Sequence, residues 1–145
     1  MSGIGPLKSL KGKTILIAGG AGYLGVPLCK LLVAEGANIC IGETNQEQLD
    51  QTIQSICANS PDARVIGLPL DVGNETSIVN YVTASVNYFG KLHGLVNATS
   101  GASGKEIQDL TSDDFDLANN LNLTGPFLMA REAAKYMEGA GSIVM

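Results

Sequence analysis

The feature that most constrains the fold is the run of residues 14–25, which reads Thr-Ile-Leu-Ile-Ala-Gly-Gly-Ala-Gly-Tyr-Leu-Gly. An apolar, β-branched segment leads into Gly19, Gly22 and Gly25, and a helical pattern follows at once. This order predicts a buried strand, a tight turn and a helix whose N-terminus faces the turn. Gly19 permits the dihedral angles of the turn, Gly22 lets a phosphate approach the backbone, and Gly25 lets the helix pack closely. Free amides and the helix dipole would then bind a pyrophosphate group.

The rest of the chain alternates between short apolar segments and helical patterns. Strands are predicted at residues 14–18, 38–42, 64–70, 92–97 and 141–145. Helices are predicted at about 23–35, from 46 to the turn at 60–62, at 74–90 and at 111–138. The buried face of the first helix is predicted to consist of leucines, namely Leu24, Leu28, Leu31 and Leu32.

This alternation predicts an α/β fold of the Rossmann type. Its parallel sheet would be doubly wound, with helices on both faces and strand order 3-2-1-4-5, truncated after the start of strand five. We expect residues 1–145 to form a single nucleotide-binding domain, in which residues 1–12 are a loose arm.

Composition excludes several classes of partner. The net charge is −5 and no basic run is present, which argues against binding to nucleic acid or anionic membranes. No apolar run approaches the roughly 20 residues that span a bilayer, and the first ten residues carry no signal-peptide core. The three cysteines show no Cys-x-x-Cys spacing, so we expect buried thiols in a reducing compartment and no metal site. These observations predict a cytoplasmic protein.

Polar side chains follow three predicted strands, at the edge where such sheets bind ligands. Glu43 can accept hydrogen bonds from both hydroxyls of an adenosine ribose and would repel a 2′-phosphate, so it favours NAD over NADP. The alternative role for Glu43 is that of a solvated carboxylate at the end of a strand. The glycine turn also holds no Lys or Arg. Asp71, which precedes Val72, can bond an adenine amino group or cap the next helix, although Asn74 is the better cap. Asn97 ends the fourth strand.

Four segments together resemble the N-terminal part of the short-chain dehydrogenase/reductase family. They are residues 18–25, Asp71-Val72, the Leu-Val-Asn-Ala segment 95–98 and the Asn-Leu-Thr-Gly-Pro-Phe segment 122–127, in the family's order and spacing. The resemblance implies NAD(P)-dependent hydride transfer between a nicotinamide cofactor and an alcohol or ketone. It places Asp71 near adenine and makes Asn122 the catalytic asparagine, which helps to hold a water in a proton relay. The cofactor contacts that it implies also include Tyr23, Leu24, Asn97, Ala98 and Thr99.

The sequence departs from the family pattern at three places. Tyr23 replaces the usual middle glycine, and Thr99 and Ser100 replace the usual residues after Asn97-Ala98. No tyrosine is followed four residues later by a lysine, and the family's catalytic serine would fall just beyond Met145. We therefore expect the 145-residue chain to lack the Ser/Tyr/Lys part of the site and to be inactive alone. The one histidine, His93, falls at the opposite edge of the sheet and is expected to be structural.

Pro126 draws attention to the long helical pattern at 111–138. Because proline has no amide, the carbonyl of Asn122 loses its helical partner, which predicts a kink with a free carbonyl. The alternative is a kink that only shapes packing. This segment, with Leu121, Phe127, Leu128 and Met137, resembles the family's dimer-forming element, so we expect a homo-oligomer.

Two other functions remain open from the sequence. The glycine spacing resembles that of nucleotide-sugar epimerases and dehydratases, although the segment around Asn122 argues against them. A non-catalytic dinucleotide-binding module is the other alternative, and the mass of the encoded polypeptide would separate it from an enzyme.

Overall fold

The computed structural model describes residues 10–145. Its strands are β1 (Thr14–Ala18), β2 (Asn38–Glu43), β3 (Val65–Pro69), β4 (Gly94–Asn97) and β5 (Ser142–Val144). Its helices are α1 (Gly25–Ala34), α2 (Gln46–Asn59), α3 (Glu75–Phe89), α4 (Ser112–Asn119) and α5 (Gly125–Ala134). Residues 1–9 of the predicted arm lie outside the described residues, and at its inner end the Gly12 N–H donates to the Gly36 carbonyl.

The strands form one parallel sheet in the order β3-β2-β1-β4-β5, which confirms the predicted fold class. In register, Ala18 at the end of β1 lies beside Gly42 of β2 and Asn97 of β4. The glycine turn and the residues that follow β2 and β4 therefore meet at one edge of the sheet, because the carboxyl ends of parallel strands coincide.

Alternating residues of β1 separate two hydrophobic cores, one on each face of the sheet. Leu16 and Ala18 pack with side chains of α3 and α5, whereas Ile15 and Ile17 pack with side chains of α1 and α2. This is the doubly wound arrangement that the sequence predicts. Within residues 10–145 none of the helices is long and apolar enough to cross a membrane.

The buried face of α1 differs from the predicted one. Leu24 and Leu31 are 70% and 59% exposed, and the buried residues are Gly25, Cys29 and Val33. A Cβ atom at Gly25 would lie only 2.3 Å from the Gly19 carbonyl oxygen. The helix is therefore rotated so that its smallest residue faces the turn, which moves Leu24 and Leu31 toward solvent, whereas Leu28 and Leu32 pack against the core as predicted.

The long helix predicted at 111–138 is interrupted and ends early. A π turn (Asn120–Thr124) separates α4 from α5, and α5 ends at Ala134. Within the turn the Gly125 N–H donates to the Asn120 carbonyl, five residues back. Pro126 supplies no N–H to the carbonyl of Asn122, so widening the helix by one residue accommodates the lost bond. Thr111 and Asp114 form a capping box at the start of α4.

Two cysteines lie in the cores as unpaired thiols. Burial raises the pKa of Cys29 to about 12 and that of Cys40 to about 11, so both are protonated at neutral pH. The Tyr81 hydroxyl donates to the Cys40 carbonyl at 2.7 Å and accepts from the Ile17 N–H at 3.3 Å, which ties α3 to the centre of the sheet.

His93 precedes β4 at the amino edge of the sheet, as predicted. Its Nδ1 accepts a hydrogen bond from the Thr14 N–H at 3.0 Å. Desolvation, with Lys13 and Lys91 nearby, lowers the pKa of His93 below its usual value. The neutral imidazole therefore joins β1 to β4, far along the strands from the glycine turn.

Candidate functional site

A cleft of about 450 Å³ opens at the carboxyl edge of the sheet. Most of the predicted site residues line it: Gly19, Gly22, Tyr23, Leu24, Glu43, Asp71, Val72, Ala98 and Thr99. Gly25, Asn97 and Asn122 are not among its lining residues but contact segments that are. The sequence analysis missed other lining residues, namely Gly42, Thr44, Leu70 and Leu121.

The glycine turn forms one wall of the cleft. Gly19 has a φ of +74°, and a Cβ atom there would lie 3.0 Å from the carbonyl of Ala98. The Gly22 N–H donates to the Gly19 carbonyl at 3.1 Å, which closes the turn. Leu24 precedes the first turn of α1 and supplies no side-chain cap. The positive end of the α1 dipole therefore lies at the wall of the cleft, where it favours an anionic group.

The carboxylate of Glu43 lies at the carboxyl end of β2. One oxygen of Glu43, Oε1, accepts hydrogen bonds from the Thr44 N–H at 2.9 Å and from the Thr44 hydroxyl at 3.2 Å. Thr44 thereby orients the carboxylate at the cleft, and both residues belong to its lining. The position of Thr44 directly after Glu43 was the only signal in the sequence that could have indicated it.

Asp71 is held in the turn between β3 and α3. Its Oδ1 accepts from the Gly73 N–H at 2.8 Å, and its own N–H donates to the Ser77 hydroxyl at 2.9 Å. Asn74 caps α3 by accepting from the Ser77 N–H at 3.1 Å. Asn74 therefore makes the helix cap that was considered for Asp71. Asp71 instead shapes the turn that lines the cleft.

The segment after β4 forms the opposite wall. The Asn97 Oδ1 accepts from the Thr99 hydroxyl at 2.8 Å, which fixes the start of this segment. Asn122 pairs with Gly101 farther along. Its Nδ2 donates to the Gly101 carbonyl at 2.6 Å, and its Oδ1 accepts from the Gly101 N–H at 3.0 Å. The side chain of Asn122 therefore fastens this wall to the π turn, with a further bond to the Ala118 carbonyl at 2.8 Å.

An ion pair anchors the far end of the same segment. The Lys105 ammonium contacts both carboxylate oxygens of Asp114, at 2.6 and 2.8 Å. Lys105 and the hydrogen bonds from Thr111 lower the pKa of Asp114 to about 2, so this carboxylate is ionised at neutral pH. The segment from Thr99 to Lys105 is thus tied to the π turn at Gly101 and to α4 at Lys105.

The π turn also contacts the turn after β3. The Asn120 Nδ2 donates to the Gly73 carbonyl at 3.1 Å. A Cβ atom at Gly125 would lie 2.3 Å from the Val72 carbonyl oxygen, so only glycine fits there. No pattern in the sequence indicated Asn120, because its bond joins residues that are far apart along the chain.

Comparison with known proteins agrees with this geometry. The sequence profile of the short chain dehydrogenase family matches residues 13–145. The levodione reductase of Leifsonia aquatica is 32% identical over 143 residues, which cover 96% of this chain and 53% of that enzyme. A versicolorin reductase of Emericella nidulans is 29% identical, covering 94% and 51% of the two chains.

Solved structures show the same fold. The crystal structure of levodione reductase superposes with a TM-score of 0.87 at 30% identity, covering 92% of this chain and 53% of that one. A xylitol dehydrogenase in its NAD⁺-bound form has a TM-score of 0.87 at 27% identity, with coverage of 94% and 53%. The chain thus spans about half the length of the relatives it matches. Profile, fold and the position of the cleft together identify the chain as a member of the short chain dehydrogenase family of oxidoreductases.

Proposed function

We propose that the cleft binds a nicotinamide dinucleotide and serves hydride transfer between this cofactor and an alcohol or ketone. The observation that carries the proposal is the convergence of three features on one cleft: the glycine turn at the start of α1, Glu43 and Asp71. A dinucleotide needs an anion site, a ribose acceptor and an adenine partner, and these residue types supply them. The NAD⁺-bound xylitol dehydrogenase, with the same fold, supports this assignment.

Each wall of the cleft has a part in the proposed complex. Gly19, Gly22, Tyr23 and Leu24 would receive the pyrophosphate at the N-terminus of α1, with Gly25 holding the helix against the turn. Glu43 would accept hydrogen bonds from the adenosine ribose. The cofactor supplies the hydride chemistry when bound, and the protein orients it.

The remaining site residues have roles on the other two walls. Asp71 and Val72 would contact adenine, and Asn97 would support the adenosine side of the site. Ala98 and Thr99 would continue that wall toward the nicotinamide. We propose that Asn122, which fixes this segment through Gly101, is the asparagine of the proton relay. An asparagine side chain is not an acid at neutral pH, so a separate proton donor is required for turnover.

Binding measurements test the proposal directly. Calorimetric titration of the 145-residue chain should give a smaller Kd for NAD⁺ and NADH than for NADP⁺ and NADPH. The physical reason is that the Glu43 carboxylate accepts from ribose hydroxyls and repels a 2′-phosphate. Equal or reversed affinities would contradict the assignment of Glu43, and no binding of either cofactor would contradict the function.

The alternatives are less well supported. An epimerase or dehydratase of nucleotide sugars rests on glycine spacing alone, and the relatives reported above are named reductases and dehydrogenases. A non-catalytic module would also bind dinucleotides. The 145-residue chain carries no Tyr-x-x-x-Lys, so we propose that it binds cofactor without turnover.

We also propose that copies of the chain associate through the α4–α5 region. Phe115, Leu117, Leu123 and Phe127 are each more than half exposed there, an apolar surface typical of interfaces. Leu121, Leu128 and Met137, which the sequence suggested for this surface, instead pack against the core. The cytoplasmic location stays a prediction, supported by the free thiols of Cys29 and Cys40.

A further inference from the structure

The π turn reaches two walls of the cleft with two asparagine side chains. Asn122 pairs with Gly101 on the wall that follows β4, as described above. Asn120, two residues earlier, donates its Nδ2–H to the Gly73 carbonyl at 3.1 Å, on the wall that follows β3. A regular α-helix turns about 100° per residue, so a local widening changes where successive side chains point. Here the widened turn carries both amides that hold the walls.

The contact of Asn120 leads directly to Asp71. Gly73 accepts from Asn120 through its carbonyl, and its N–H donates to the Asp71 Oδ1 at 2.8 Å. A Cβ atom at Gly73 would lie 3.2 Å from both the Asn120 Nδ2 and the Asp71 Oδ1. The N–H and the carbonyl of Gly73 flank the same Cα atom, so a single residue links the Asn120 amide to the Asp71 carboxylate.

The surroundings leave this turn little room to adopt another position. The backbone of α5 meets it so closely that a Cβ atom at Gly125 would lie 2.3 Å from the Val72 carbonyl oxygen. Leu121, between the two asparagines, lines the cleft and would contact a Cβ atom at Gly101 at 2.4 Å. Both walls are therefore packed against the same turn of helix.

We propose that Asn120 is a positioning residue for the adenine side of the cofactor site. Through Gly73 it sets the place of Asp71, while Asn122 sets the opposite wall. This inference rests on the proposed function, because it assigns the adenine-binding role to the wall that holds Asp71. It adds a residue that neither the family resemblance nor the sequence pattern indicated.

The experiment compares three single variants by their affinity for ADP, which represents the adenine half of the cofactor. Asn120→Ala should raise the Kd for ADP about fivefold to tenfold, because Asp71 is then no longer held in position through Gly73. Asn120→Asp should do the same, because a carboxylate cannot donate to the Gly73 carbonyl. Asn119→Ala is the matched control, since within residues 10–145 the Asn119 side chain makes no hydrogen bond with either wall. That control should change the Kd less than about twofold.

A purely structural role for Asn120 would give a different pattern. Asn120→Ala would then lower the thermal midpoint but leave the ADP affinity unchanged, and this result would overturn the inference. Weaker ADP binding by Asn119→Ala to the same extent would also overturn it. If unmodified chain binds neither ADP nor NADH, the proposed function fails as well. Normal binding by the unmodified chain and by Asn120→Ala alike would remove only the inference.

NMR spectroscopy of the unmodified chain tests the same inference without any substitution. The side-chain amide protons of Asn120 should shift in NMR spectra when ADP is added, because their acceptor belongs to the wall that ADP contacts. Those of Asn119 should not shift. An Asn120 resonance that stays unchanged at ADP saturation would contradict the inference.

Discussion

Gly25→Ala should destabilise the fold by about 3 kcal/mol and abolish dinucleotide binding. The added Cβ atom would lie 2.3 Å from the Gly19 carbonyl oxygen and 2.6 Å from the Gly20 backbone, distances that atoms of a folded protein do not adopt. Neither neighbour is a flexible side chain, so α1 must move away from the turn. The start of α1 would then no longer lie at the wall of the cleft, which removes the anion site. Chemical denaturation and an NADH titration measure the two effects.

Gly94→Ala is the matched control for this substitution. Gly94 lies in β4, and a Cβ atom there would meet the Ile15 side chain at 3.4 Å, an ordinary contact. We expect a change below about 1 kcal/mol and normal NADH binding. If Gly25→Ala were as stable as Gly94→Ala, the close approach of α1 to the glycine turn would be refuted.

Glu43→Ala should reduce the preference for NAD(H) over NADP(H) by about 10- to 100-fold, equivalent to roughly 1.4–2.8 kcal/mol. The substitution removes the acceptor for the ribose hydroxyls and also removes the charge that repels a 2′-phosphate. NAD(H) affinity should fall and NADP(H) affinity should rise, so the two effects add in the ratio. Titration of both cofactors into the variant and the unmodified chain measures this ratio.

Glu47→Ala provides the control for charge alone. Glu47 is exposed in the first turn of α2, and its carboxylate accepts a hydrogen bond from Gln51 outside the cleft. The variant has the same net charge as Glu43→Ala but keeps the carboxylate of Glu43. A similar loss of preference in Glu47→Ala would show that net charge, and not the position of Glu43, decides between the cofactors.

The sheet and its ligand edge could be predicted because they depend on local patterns. Apolar segments alternate with helical ones, and the glycines at 19, 22 and 25 mark the turn. These two patterns were sufficient to predict the strand order and the position of the cleft. The cap that Asn74 provides could also be predicted, because it acts within its own helix.

The parts that the sequence analysis missed depend on contacts between distant segments. The rotation of α1 is set by Gly25 against Gly19, so the hydrophobic period of its leucines was correct for Leu28 and Leu32 but wrong for Leu24 and Leu31. Pro126 indicated a disturbance near Asn122, but the π turn that results depends on packing against Val72. Asn120 donates a hydrogen bond to Gly73, 47 residues away, and a contact between such distant residues produces no periodic pattern in the sequence.

The position of the bound cofactor tests the account most directly. Backbone amide NMR spectra of isotopically labelled chain should be recorded during a titration with NADH. The account predicts that the largest shifts belong to Gly19, Gly22, Glu43, Asp71 and Ala98 around the cleft, while His93 at the amino edge does not change. Shifts centred on His93, or no shifts at millimolar NADH, would contradict the assignment of this cleft as the dinucleotide site.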